Sequence, residues 1–321
     1  MPTADGRPVA AAWGVGVDST AMLIEMVEAG QPPDVVLTAD TGGERAETYA
    51  FRPLFTQWLE DRGVPVHIVR NVVAKPLNWP PYHDLETNCL TNGTLPSIAF
   101  GRGGCSVKWK VAPQDAWVDT WPPAIAAWAR GERVVKLIGY DAGVRDARRY
   151  AQQQGRDDPK YEYRYPLRVL GWDRDACAAR IAAAGLPVPP KSACWFCSTM
   201  RPDELSALPP PLLRRIVAME ARAVPRLTAI DGLWRRPVKG MRGATPRPGS
   251  MTQYIRDQAL LPGDEINAIA AAMPPELVRP DPNGGPAGDE ATKAAWATAM
   301  DVLRGADMAA PGTPAPYGRL T

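Results

Sequence analysis

Short apolar runs, each closed by glycine or small polar residues, alternate in the first half of this chain with segments of helical periodicity. The run from Val9 to Val17 ends in glycines and reads as a buried strand feeding a loop. Asp18, Ser19 and Thr20 then supply helix N-terminal chemistry. Met22, Leu23, Met26 and Val27 recur at helical spacing, and Gly30 can end that helix. Residues 34–39 (DVVLTA) form a second expected strand, closed by Asp40, Thr41, Gly42 and Gly43. Residues 47–62 read as a helix with Phe51, Leu54, Phe55, Trp58 and Leu59 on one face. Further strands are expected at 64–69 and 134–138, the latter running into Gly139, Tyr140 and Asp141. The alternation implies an α/β fold, a Rossmann-like parallel sheet with helices on both faces. Ligands of such sheets bind beyond the carboxyl ends of the strands. The groups Gly14–Thr20, Asp40–Gly43 and Gly139–Asp141 are therefore expected to meet at one crevice.

The remainder is less regular. Residues 74–113 read as an irregular insertion bearing Cys89 and Cys105, and 173–184 as a helix with an Asp N-cap and Gly185 after it. Residues 211–223 read as a helix and 232–256 as a basic loop. Beyond 274 the chain is rich in Pro, Gly and Ala, with one helix expected near 289–304. The expected division is a nucleotide-binding domain over 1–200 that includes the Cys-rich elements, a helical and basic-loop extension over 201–273, and a peripheral C-terminal tail over 274–321. A hydrophobic fraction of 45% and a charged fraction of 22% fit a soluble globular protein. The net charge of +2 does not by itself point to nucleic acid. No run approaches the ~18 apolar residues of a membrane span, and the N-terminus lacks the basic-then-apolar pattern of a signal peptide. A cytoplasmic protein with no membrane partner is expected. The 2 histidines, His67 and His83, leave a Ser-His-Asp triad or a multi-His metal site poorly supplied.

Trp13-Gly14-Val15-Gly16-Val17-Asp18-Ser19-Thr20 sits between strand and helix, where glycines let the backbone approach an anion and the helix N-terminus offers N–H groups. It lacks the Gly-Lys-Ser/Thr of a Walker A loop and the third glycine of a dinucleotide fingerprint. It resembles the SGGxDS pyrophosphate loop of the adenine nucleotide alpha hydrolase superfamily, with Gly14 in place of Ser, Val15 in place of the first Gly, and Gly16, Asp18 and Ser19 matching. Asp40-Thr41-Gly42, with Glu47-Thr48-Tyr49 and Phe51, resembles the DTGxxxxETYxF segment of PAPS reductases. Cys105 through Lys108, Lys110, Val111 and Pro113 resembles their Cys-Cys…Lys-Val-x-Pro segment. Gly139-Tyr140-Asp141 with Arg148 and Arg149 resembles their Gly-x-Arg…Arg region, and Pro166-Leu167 with Trp172 their PLxxW segment. Pro189 to Cys197 is especially similar to the PAPS reductase-like proteins of bacteria and their phages. The resemblance spans about 9–260 in order, and it implies the PP-loop type of Rossmann-like fold with a Cys-bearing insertion and a small C-terminal extension.

The resemblance also implies roles. Gly14, Val15, Gly16, Asp18, Ser19 and Thr20 would hold phosphates of ATP or PAPS, and Asp40, Thr41 and Gly42 would lie near the nucleoside. Gly139 and Asp141 would flank the pocket, and Arg148 or Arg149 would take the phosphate or sulfate end. Asp18, Ser19, Lys108 and Arg148 are the catalytic candidates, with Mg²⁺ neutralising the phosphates. Cys194-x-x-Cys197 is a two-ligand clip. With Cys105 and Cys89 it would complete an iron–sulfur cluster, or a zinc site as the alternative, with Lys108 and Lys110 offsetting negative charge. Ser106 stands where a second adjacent Cys is usual, and Cys177 shares a helical face with Ile181 and Ala184, which suits core packing.

True sulfonucleotide reductases use a cysteine on a C-terminal segment, and this chain has no Cys after 197 and no His after 83. Fold and named reaction are separable. The first expectation is therefore ATP pyrophosphatase chemistry that activates an acceptor for sulfur transfer. The acceptor would be DNA or RNA, and the sulfur donor a cysteine desulfurase or its equivalent. Authentic PAPS or APS reduction is the alternative, and a non-enzymatic, metal-stabilised nucleic-acid-binding module a third. The last draws on Arg235, Arg236, Lys239, Arg242, Arg247 and Arg256, flanked by Trp234 and Tyr254, which would drape as a loop and stack on bases.

Overall fold

The computed structural model describes residues 6–96, 104–155, 157–241, 246–280 and 289–307. In chain order the elements are β1 (Val9–Ala12), α1 (Val17–Glu28), β2 (Val35–Ala39), α2 (Ala46–Glu60), β3 (Val66–Val69), α3 (Leu85–Asn92) and the short turn α4 (Gly104–Ser106). A π-helical turn (Val107–Val111) leads into α5 (Ala112–Val118), α6 (Pro122–Ala129), β4 (Val134–Ile138), α7 (Val144–Gln153), β5 (Tyr161–Arg164), α8 (Pro166–Leu170) and α9 (Arg174–Ala183). Then come α10 (Pro202–Ser206), α11 (Pro210–Ala223), α12 (Met251–Asp257), α13 (Gly263–Ala272) and α14 (Glu290–Asp307). The chain divides into two compact units, Met1–Asn71 with Ser106–Ala193, and Val72–Cys105 with Cys194–Thr321. This differs from the expected 1–200, 201–273 and 274–321. Residues 72–105 belong with the later helices because their apolar side chains (Leu85, Cys89, Leu90, Leu95) are buried and need a core.

The first unit is the expected α/β fold. Its five strands are all parallel in the order β3-β2-β1-β4-β5. β1 lies centrally, Ala10 opposite both Val35 and Lys136. The chain runs outward from β1 to β3 on one side and restarts at β4 on the other, so the topological switch lies between β1 and β4. α1 buries Ala21, Met22, Leu23 and Ile24 completely and packs along α9, where Cys177 and Ile181 are equally inaccessible. At about 1.5–3 kcal/mol for each large apolar side chain removed from water, this seam is a major contributor to the unit. Trp13, Phe55 and Trp58 form an aromatic row on α2's inner face, with centroids 5.1 and 5.3 Å apart. Neither α7 nor β5 is among the elements expected from the sequence. Asp146 is the sole buried residue of α7, and β5 reads Tyr-Glu-Tyr-Arg at a sheet edge.

The second unit is built around α11, which buries Leu213, Ile216, Val217 and Met219 against α3, α12, α13 and α14. The expected irregular stretch 74–113 instead contains α3, started by a reciprocal Asp84–Thr87 capping box, and helical backbone from Gly104 onward. Two buried charges organise the unit. Glu220, 2% exposed, accepts from Leu233 N, Ser250 Oγ, Met251 N and Thr252 N, which satisfies the carboxylate and caps α12. Arg222, fully buried, donates to the carbonyls of Leu90, Pro274 and Glu276 and lies 4.8 Å from the Trp296 ring centroid.

Those two hubs correct two expectations. The segment 232–256 is no draped loop: Leu233 and Trp234 are buried, the Trp234 indole donates to Met200 O, and Tyr254 lies on α12 edge-on to Trp234. Trp234 is therefore unavailable for stacking on bases, although Arg235, Arg236 and Lys239 are exposed. Arg242 lies outside the described residues. Nor is the helix expected near 289–304 peripheral, since Trp296 is 1% exposed and α14 packs on α11, while 281–288 and 308–321 lie outside the described residues.

Candidate functional site

The loop after β1 is shaped by short-range bonds. Gly16 caps α1 with extended backbone and no side-chain cap, so the N–H groups of Val17, Asp18 and Ser19 precede the first intrahelical bond, Thr20 N to Gly16 O at 3.1 Å. The Ser19 hydroxyl accepts from Gly14 N at 3.2 Å, and the Ser192 hydroxyl donates to Gly14 O at 2.5 Å. Val15 has φ of 56°, a left-handed conformation costly for a β-branched residue, and it occupies the position where glycine is usual in the motif it resembles. Thr20, expected among the phosphate donors, is fully buried and accepts from the Trp13 indole at 3.0 Å, securing the loop from beneath. Gly139 lies against the same turn: a Cβ there would meet Ser19 Cα at 2.7 Å, so only glycine permits this approach.

On the β2 side of the loop lies a small, partly open cavity of about 40 Å³. Trp13, Gly14 and Val15 form one wall and Thr38, Ala39 and Asp40 another, with Glu44, Thr48, Lys110 and Gln114 among the remaining lining residues. Asp40 lines it but spends its carboxylate internally, on Gly42 N (2.9 Å), Tyr49 Oη (2.9 Å), Arg52 (3.2 Å) and Arg70 (2.8 Å). Burial alone would raise its pKa; the Gly42 N–H and the two guanidiniums outweigh that and hold it below the usual carboxylate value. Asp40 therefore shapes the wall. Thr41 is buried and accepts from Gly43 N, while Gly42 turns with φ of 74°. Lys110 pairs with Glu44 at 2.9 Å. Lys108 lies 5.5 Å from the Trp109 ring centroid and is not part of the lining.

On the β4 side, Asp18, Asp141 and Asp146 bring carboxylate oxygens within 4.8 Å of one another. Asp141 and Asp146 are buried, Asp18 half-buried. Arg174 pairs with Asp18 at 2.9 Å and Arg149 with Asp146 at 3.2 Å, while Gly143 N donates to Asp141 Oδ1. Burial pushes the Asp18 carboxyl up; Arg174 opposes this, and the like charges of Asp141 and Asp146 add to it. One Asp18 oxygen is buried without a hydrogen-bond partner. Such an all-oxygen donor set fits a hard divalent cation. Arg148, exposed on α7, does not point into this arrangement through any described bond. Sequence reasoning missed Asp146, Gln114 and Ser192, and set Lys110 beside the cysteines where the fold places it on the cavity wall, paired with Glu44.

The four expected ligand cysteines all fall in the second unit. Cys89 is 1% exposed, and its thiol is pushed well up by burial and by Glu86, with Cys105 and Cys194 as further electrostatic neighbours. Cys194 and Cys197 lie on a tight turn, Cys197 N to Cys194 O at 3.0 Å, and Cys197 Sγ approaches Thr199 Oγ1 at 3.2 Å. Among the described residues no three thiol sulfurs lie within 4.8 Å of one another. Tetrahedral zinc, with Zn–S of about 2.3 Å, would need them at about 3.8 Å. Cys177 is fully buried in the α1–α9 seam, its pKa pushed up to about 12 by burial.

The fold is that of an α/β protein whose candidate site residues gather at the carboxyl edge of a parallel sheet. No helix among the described residues is long and apolar enough to cross a membrane. No protein-family model matches the chain, and no curated protein matches it. Among solved structures it is similar to the phosphoadenylyl-sulfate (PAPS) reductase of Candida auris in a phosphate complex: 12% identity, 60% of this chain and 83% of that chain covered, TM-score 0.36. So distant a likeness decides nothing about chemistry, which rests on the residues themselves.

Proposed function

We propose that this chain is an adenine-nucleotide-binding enzyme of the PP-loop type, akin to the PAPS reductase-like family. It would cleave ATP to AMP and pyrophosphate and so activate an acceptor for sulfur transfer. One observation carries the reading: an uncapped glycine loop shares its sheet edge with three mutually close carboxylates. Two of its ligands would come from opposite sides of the topological switch. The first-turn N–H groups of α1 suit phosphate oxygens. Asp18, Asp141 and Asp146 would hold Mg²⁺, which when bound supplies charge neutralisation for the triphosphate.

In this reading Asp18 serves the cation and Gly14–Ser19 the phosphates, while the cavity beside β2 takes the nucleoside. The acceptor's oxygen attacks the α-phosphorus. The bond to the α–β bridging oxygen breaks, and pyrophosphate leaves with its electron pair. Arg148 and Arg149 on α7 would offset charge on that leaving group. The outer sulfur of a donor persulfide, such as that of a cysteine desulfurase, would then attack the adenylated acceptor, DNA or RNA, and displace AMP, and a second thiol would release the thiolated product by forming a disulfide with the donor cysteine. Cys89, Cys105, Cys194 and Cys197, all four in the second unit, would hold an iron–sulfur cluster.

The test is pyrophosphate release from ATP with Mg²⁺ and candidate acceptors. Asp141→Asn and Asp146→Asn should each lower turnover about 100-fold or more, since several kcal/mol of charge stabilisation depend on the cation. Wild-type protein that neither binds ATP in calorimetry nor releases pyrophosphate overturns the reading.

A further inference from the structure

Two polar groups on the cavity wall are buried and lack partners. Gln114 is 8% exposed, and its Nε2 donates to Lys110 O at 3.0 Å, one turn earlier on the same helical stretch. That bond fixes the amide: the nitrogen faces backbone, and Oε1 remains as a buried acceptor without a hydrogen-bond partner. Thr48, 3% exposed near the start of α2, likewise has its hydroxyl buried and unpartnered. The two come from segments far apart in sequence yet line one cavity. An unsatisfied buried acceptor costs about 1–3 kcal/mol, and such groups mark places where a ligand supplies the missing partner.

The chemistry on offer is one-sided. The Gln114 amide oxygen only accepts, the Thr48 hydroxyl accepts or donates, and the cationic groups on this wall are engaged, Lys110 by Glu44 and Arg52 by Asp40. The complementary ligand atom is a donor with two hydrogens to give. We infer that Gln114 and Thr48 determine base specificity by accepting from an exocyclic amino group, selecting adenine over bases that carry a carbonyl at that position; this rests on the proposed nucleotide site. A 6-carbonyl would set acceptor against acceptor at Gln114 and leave the buried amide oxygen unpaired. Sites built to bond a donor reject analogues lacking it far more sharply than apolar pockets reject a change of size.

The experiment compares ATP with ITP, which differs in carrying a 6-carbonyl for the 6-amino group, by calorimetry on the full chain with Mg²⁺. Wild-type protein should bind ATP about 10- to 100-fold more tightly than ITP. Gln114→Leu should lower ATP affinity and bring the ATP-to-ITP ratio close to one, and Thr48→Val should shrink the ratio in the same direction. A merely structural role would weaken both nucleotides alike and preserve the ratio. Equal wild-type affinity for ATP and ITP overturns the inference without needing any variant and leaves the nucleotide-site reading standing. Preservation of the ratio in both variants also overturns it. Failure to bind either nucleotide overturns the reading itself, and the inference with it.

Discussion

Asp40 has four bonding partners and almost no contact with water, two guanidiniums among them. Its folded pKa lies below the ordinary value of 3.8, so its contribution to stability is complete above that pH and is lost as pH falls through the depressed value. Asp18 has the opposite sign: its pKa is raised, so its ionisation opposes folding as pH rises past 3.8. Asp40→Asn strands Arg52 and Arg70 and should cost about 3–5 kcal/mol at neutral pH. Urea unfolding followed from neutral pH down to about pH 2 should show the wild-type advantage over Asp40→Asn shrinking in the acid limb; a pH-independent difference would mean that the carboxylate charge is not what stabilises. Val15 is the other residue with an unusual constraint, since the chain holds it left-handed and 6% exposed at once.

Among the elements, α14 departs furthest from what its composition suggests. It sits in a Pro-, Gly- and Ala-rich segment, yet Trp296 is 1% exposed between Arg222 and Trp79, whose ring lies edge-on at 6.5 Å. Trp296→Ala should cost about 3–5 kcal/mol in chemical unfolding. A loss below about 0.5 kcal/mol, as for an ordinary surface change, would return the segment to peripheral status. The contrast shows what was legible. β1 and β2 could be read as apolar runs and α1 and α2 because each buries one face at helical period, and the loops after β1, β2 and β4 followed from parallel topology. α14 was legible as a helix near 289–304 but its packing was not, because the Pro-, Gly- and Ala-rich surroundings give no sign that Trp296 is buried. α7 spaces Val144, Ala147 and Tyr150 at helical intervals yet buries only Asp146, so no local signal marked the third carboxylate. Gln114 and Ser192 became site residues only through tertiary placement, which no local signal carries.

At the scale of the whole molecule, the cysteines separate by unit. Four lie in Val72–Cys105 and Cys194–Thr321, and Cys177 lies in the other unit's core. Anaerobically purified protein should therefore contain iron and sulfide, or zinc, in amounts that Cys194→Ser abolishes and Cys177→Ala leaves intact. Metal-free wild-type protein, or equal loss in both variants, would refute a shared centre on these four thiols. The same division bears on synthesis. The chain makes β1, β2 and β3, then spends residues 72–105 on the other unit before β4 arrives to pair with β1. At ribosomal rates of roughly 5–20 residues per second, the stretch from 72 to 133 keeps one flank of the central strand bare for on the order of 3–12 s. During that interval a nascent three-stranded sheet carries an apolar edge, Val9 to Ala12, that any passing strand can join. The interrupted order of this chain thus turns the central strand of its finished sheet into an open edge at birth.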